Sequence, residues 1–165
     1  MDAFQREMIS LLPRLRRFAR VLARSPADAD DLVQITIERA LVRREQWALG
    51  TRLDNWMFRI MKNAWIDETR SRQRKARVFL PEDDGARIGD EGAVLVERRL
   101  ETAAVVREIQ NLPEEQRLAV ALVLVEGLSY KEAAEALEVP QGTLTSRLGR
   151  GRATLLTRLA QGDAA

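Results

Sequence analysis

The chain has 165 residues, 45% hydrophobic and 32% charged, with a formal net charge of only +2. It contains neither cysteine nor histidine. That composition is globular rather than disordered, and it excludes disulfides, thiolate metal sites and any nucleophile–base pair built on Cys or His. A carboxylate-only metal site or an Asp/Glu acid–base pair stays open, but no catalytic residue, cofactor or metal is expected, and the composition suits a cytoplasmic protein that works by binding.

Proline and glycine divide the chain into helical blocks, and no segment sustains a period-two alternation. The predicted class is all-α. No apolar run approaches the roughly 18 residues of a membrane span, so no membrane insertion is expected. The N-terminal MDAFQREMISLLPRLRR places its acids first and reads as part of the fold, not as a signal peptide.

The spacing of Leu11, Leu15, Phe18 and Leu22 predicts one helix from about Asp2 to Arg24, with Arg14, Arg16, Arg17, Arg20 and Arg24 on its other side. Ser25-Pro26-Ala27-Asp28 restarts a helix: a serine cap, proline in the first helical position and acids in the first turn. This second helix turns Leu32, Val33, Ile37, Ala40 and Leu41 inward and ends before Gly50. Asp28, Asp30, Asp31, Gln34, Glu38 and Arg39 form a polar ridge along it, suited either to solvent or to another protein.

Thr51-Arg52-Leu53-Asp54 resembles a capping box with Asp in place of Glu. The helix that follows carries Trp56, Met57, Ile60, Met61, Ala64 and Trp65, too many apolar positions for one narrow stripe. Its second half is basic: Lys62, Arg70, Arg72, Arg74, Lys75 and Arg77 oppose only Asp67 and Glu68. Cations interleaved with Asn63 and Trp65 suit unpaired nucleic acid, whose bases can stack. A basic helix end favoured by the helix dipole, with Trp65 in the core, explains the same residues equally well.

LPEDDGARIGDEG, residues 80–92, has five acids against one arginine and little to bury. It reads as a flexible acidic linker between two small helical domains. The division expected is 1–76 for the first domain, 77–96 for the linker and 97–165 for the second domain. Helix formers resume near Leu95 and run to Leu112. Pro113 opens a segment almost wholly apolar after Arg117, the expected buried axis, which stops at Gly127.

Ser129 and Glu132 form an S-x-x-E capping box ahead of Ala133, Ala134 and Leu137. Glu138-Val139-Pro140 ends that short helix and starts another, the pattern of a helix-turn-helix. In the second helix Leu144, Leu148 and Leu155 face inward. From Gln141 to Arg158 there are four arginines and no acid. A packing hairpin would mix acids and bases outside. An outer face of Thr143, Ser146, Arg147, Arg150 and then Arg158 suits duplex DNA instead, arginine reading guanine and hydroxyls taking phosphates. Gly149 and Gly151 weaken the helix, and closeness to the DNA backbone would account for them.

DADDLVQITIERAL, DNWMFRIMKNAWIDETRSRQR, the acidic linker and LPEEQRLAVALVLVEGLSYKEAAEALEVPQGTLTSRLGRGRATL together resemble the extracytoplasmic-function sigma factors of bacteria, in order and over nearly the whole chain. The resemblance implies an alternative sigma factor, without bond chemistry of its own, that brings core RNA polymerase to promoter DNA under control of an anti-sigma factor. It implies that Asp30, Asp31 and Gln34, with Glu38 and Arg39, dock on the polymerase clamp. It further implies that the loop from Gly50 to Asn55, including Arg52 and Asn55, captures a flipped base of the −10 element. Lys62, Asn63, Arg70, Arg72 and Arg74 would line that element, and Thr143, Thr145, Ser146, Arg147, Arg150 and Arg152 would lie on the helix that reads the −35 element. Trp56 and Ile60 match core positions. Thr145 stands where the family often has a base and Gly149 where it often has a bulkier residue, so an unusual −35 sequence is expected. Two other readings fit less of the chain: a stand-alone helix-turn-helix regulator, and a nuclease using Asp30, Asp31 and Glu38.

Overall fold

The computed structural model describes residues 1–78 and 96–163. The chain forms two compact units, Met1–Gly89 and Asp90–Ala165, and the described residues are helical throughout apart from short connections. The predicted linker, residues 80–92, and the side chain of Arg77 lie outside the described residues.

The first unit contains α1 (Ala3–Ser10), α2 (Leu12–Leu22), α3 (Pro26–Val42), a single 3₁₀ turn at Arg44–Gln46, and α4 (Leu53–Val78). The single helix expected over residues 2–24 is thus two. Pro13 has no N–H to donate and its ring crowds the carbonyl four residues back, so the ladder breaks at Leu11. Asp2 caps α1 reciprocally with Gln5, and Ser25 caps α3 as expected, its Oγ accepting from the Asp28 N–H at 3.1 Å.

The core of this unit is Leu15, Phe18 and Leu22 of α2 against Leu32 of α3 and Met57, Phe58 and Met61 of α4, each at most 3% exposed. Phe18 and Phe58 meet edge to face, ring centres 5.2 Å apart, an arrangement favoured by their quadrupoles. Phe4 packs against Trp47 at 5.7 Å and Trp56 at 6.3 Å. Thr36 is fully buried and satisfied, its hydroxyl donating to the Leu32 carbonyl at 2.7 Å. Leu41, placed inward by the helical spacing, is 40% exposed.

The second unit contains α5 (Val96–Gln110), α6 (Glu114–Val120) running into one π-helical turn (Ala121–Val125), α7 (Tyr130–Leu137) and α8 (Gln141–Asp163). Residues Leu118 to Leu122 are buried, the apolar axis the sequence implies. Arg117 is buried with them, and its guanidinium donates to the Gln110 carbonyl at 3.1 Å, tying the end of α5 to α6. The chain leaves the π turn at Gly127, whose φ of +76° is open to glycine at little cost.

Candidate nucleic-acid interface

The α7–α8 pair has the build of a helix-turn-helix. Ser129 and Glu132 form the reciprocal capping box, at 3.1 and 2.9 Å. Glu138 closes α7 in the left-handed region at φ 58°, a conformation unusual for a residue with a Cβ. The N–H of Val139 bonds back to the Ala134 carbonyl at 3.1 Å, so the chain turns sharply before Pro140 and α8 begins at once. Leu144, Leu148 and Leu155 are buried as the sequence implies.

At 100° per residue, Thr143, Ser146, Arg147 and Arg150 fall within one arc of about 100° on α8. Thr145 and Arg152 lie on the opposite flank, so the six residues do not share one face. The Thr145 hydroxyl donates to the Gln141 carbonyl at 2.9 Å. Arg147 is ion-paired with Glu115 of α6 at 3.4 Å, and Arg158 with Glu108 of α5 at 3.9 Å. The two glycines also separate. A Cβ on Gly149 would meet nothing within 4 Å, whereas one on Gly151 would come within 2.8 Å of a Val120 methyl. Gly151 is buried against α6, and close helix packing rather than approach to DNA accounts for it.

In the first unit, Asp30, Asp31, Gln34 and Glu38 are exposed along α3, a continuous polar ridge. Its two ends are braced to α4. Arg72 grips Asp28 with two hydrogen bonds of 3.0 and 2.7 Å, and Arg39 bonds Asp67 at 3.1 Å. The Arg72 bond holds the Asp28 carboxyl below its ordinary range despite partial burial, and the same bond raises the Arg72 guanidinium. Arg70 and Arg74 are exposed, and Asn63 is half-buried. Lys62, expected along the −10 element, is only 4% exposed. Its position four residues after buried Phe58 puts its stem on the apolar column of α4.

The loop before α4 holds a node that the capping-box reading misses. Thr51 turns its hydroxyl back to the Ala48 carbonyl at 2.6 Å. Asp54 instead accepts from Arg14 of α2 at 2.8 Å and Arg52 at 2.7 Å, and from the N–H of Asn55 at 2.9 Å. Burial pushes this carboxyl up, but those hydrogen bonds outweigh it and hold the group below its usual value. Arg14 also lies over the Phe58 ring at 5.1 Å. A signal was available: Asp54 precedes Met57, Phe58 and Met61 by three, four and seven residues, so it stands on the apolar face, where a carboxylate needs partners.

Among the described residues no cluster of acids could hold a metal ion, and no helix is long and apolar enough to cross a membrane. Both units match sigma-factor domains, the first the Sigma2 domain of PhyR over residues 8–62 and the second Sigma-70, region 4 over residues 102–155. The ECF RNA polymerase sigma factor EcfG of Rhodopseudomonas palustris is 33% identical over 159 residues, covering 93% of this chain and 83% of that protein. SigM of Mycobacterium tuberculosis is 36% identical over 143 residues, 86% of this chain and 69% of its own length. The sigma factor RpoE of Bartonella quintana, solved in complex with the anti-sigma factor NepR, shares the fold with a TM-score of 0.80 and 28% identity over 97% of this chain and 98% of that one. The chain belongs to the ECF family of RNA polymerase sigma factors.

Proposed function

We propose that this protein is an alternative sigma factor that binds core RNA polymerase and directs it to its own set of promoters in the cytoplasm. The observation that carries the reading is the pairing, in one chain of the ECF family, of a helix-turn-helix whose arginine and hydroxyl face has no acid with a separate helical unit that has its own exposed arginines. The protein performs no bond chemistry. Asp30, Asp31, Gln34, Glu38 and Arg39 form the polymerase-docking ridge. Arg52 and Asn55 border the pocket for a flipped −10 base, where contacts offset an unstacking cost of a few kcal/mol. Arg70 and Arg74 take phosphates beside it, and Thr143, Ser146, Arg147 and Arg150 enter the −35 major groove. Arg72, exposed but gripped by Asp28, braces α4 against α3, and Lys62 lies buried in α4. An anti-sigma factor covers these faces when the factor is idle, as NepR is bound to the Bartonella protein.

The test is capture of purified core polymerase by the protein, followed by run-off transcription from a pool of genomic fragments. Discrete new start sites sharing two spaced motifs are expected. A folded, partner-free protein that binds no polymerase would overturn the reading and leave a stand-alone DNA-binding regulator.

A further inference from the structure

The run from Met8 to Ala27 contains five arginines and no acid, and docking, −10 and −35 contacts leave it without a role. Arg14, Arg17 and Arg20 follow one another at i, i+3 spacing along α2, neighbours on the helix surface at about 4.5 Å of rise each. Arg16, Arg17 and Arg20 are exposed. On the wheel each lies more than about 100° from the buried column of Leu15, Phe18 and Leu22. Arg24 is exposed in the bend just after the helix.

This stripe does not begin at random. Its first member, Arg14, shares the Asp54 carboxylate with Arg52 of the loop before α4. The loop that would capture the −10 base and the first turn of α2 are therefore one structure, and the arginines continue from it across the surface. A ladder made only of arginine suits phosphate, which a planar guanidinium meets with paired donors.

We propose that α2 is a backbone track: Arg16, Arg17 and Arg20 bind phosphates of the promoter strand where it leaves the base-capture loop. The proposal rests on the sigma-factor reading. The track reads no sequence, because phosphates carry none. It supplies a salt-dependent grip on DNA next to the melted base and leaves base selection to the loop.

The experiment compares polymerase reconstituted with the full-length wild-type chain, with R16Q/R17Q/R20Q and with R16K/R17K/R20K. Promoter affinity is measured across a salt series, alongside affinity for core polymerase. Each lost phosphate contact lowers the slope of log K against log salt by about 0.7–0.9. The glutamine variant is therefore expected to lose about 2 from the slope, with polymerase affinity and thermal unfolding unchanged, and the lysine variant to keep most of it. An unchanged slope in the glutamine variant overturns the proposal. A loss of polymerase affinity also overturns it, making the stripe a protein-docking surface. A wild-type chain that binds no polymerase would instead remove the sigma reading, and the track with it as a promoter contact.

Discussion

Gly151→Ala and Gly149→Ala are the same chemical change two residues apart on α8, and they should move stability in opposite directions. Alanine is favoured over glycine in a helix interior by roughly 1 kcal/mol. At Gly149 the new methyl meets nothing within 4 Å, so the propensity gain stands and the variant should be stabilised by about 1 kcal/mol. At Gly151 the methyl would sit 2.8 Å from a Val120 methyl, 3.3 Å from the Gln116 Cβ and 3.4 Å from the Gln116 carbonyl oxygen, where carbon contacts are best at about 3.5–4.0 Å. Val120 is itself fully buried and stiff at its branched carbon. Overpacking of this kind costs about 1–3 kcal/mol, so the net change is a loss of about 1 kcal/mol. In a unit of this size that is a shift of about 4–8 °C. Thermal unfolding by far-UV circular dichroism measures it. Trp47, Trp56 and Trp65 all belong to the first unit, so tryptophan fluorescence serves as an internal reference that neither variant should move. Gly151→Ala as stabilising as Gly149→Ala would refute the packing argument.

Three further outcomes follow from the site geometry. Arg147→Ala should weaken −35-dependent promoter binding by about 1–3 kcal/mol without changing polymerase affinity. Its exposed pair with Glu115 contributes about 1 kcal/mol or less, so the melting temperature checks that the effect is on binding. Asp31→Arg should reduce capture of core polymerase and leave promoter contacts of the second unit intact; undiminished capture would show that the ridge is not the dock. The carboxyls of Asp28 and Asp54 are both held below 3.8 in the folded protein. Their stabilising contribution is therefore complete above that value and lost as pH falls through the lowered one. Acid titration followed by tryptophan fluorescence should show this loss, shallower in Asp28→Asn and Asp54→Asn.

Local chemistry made much of this fold legible. Ser25-Pro26 and Ser129-Glu132 cap their helices because the groups concerned are within four residues of each other, and no distant contact competes. The buried faces of α7 and α8 follow from leucine and alanine spacing for the same reason. Reading failed where a partner from elsewhere decided the matter. Pro13 stands in the middle of the single helix expected from Asp2 to Arg24, and it is the residue that divides that block into α1 and α2. Thr51 and Asp54 have cap-like spacing, but Arg14 lies 40 residues away in sequence and claims the carboxylate. Lys62 counts as a cation in any tally of charge, and only the column it shares with Phe58 shows that it is buried. In the −35 set the helical spacing places Thr143, Ser146, Arg147 and Arg150 on one outer face, with Thr145 and Arg152 on the other flank. Gly151 could be separated from Gly149 only once Val120 was in place across from it.

The length of α8 has a consequence for changing what this protein recognises. Its 23 residues form one uninterrupted rod, about 34 Å long. The first ten residues carry the side chains proposed to meet DNA, while further along Gly151 is seated against α6 and Arg158 is paired with Glu108 of α5. Reader and mount are the same piece. The pitch at which the reading end would meet a groove is fixed by a glycine-sized contact near its middle, much as a key's angle is fixed by its shank. Transplanting residues 141–150 from a relative would carry over the letters of another promoter. It would preserve the angle at which they are read only if the seat around Gly151 and Val120 stayed as it is.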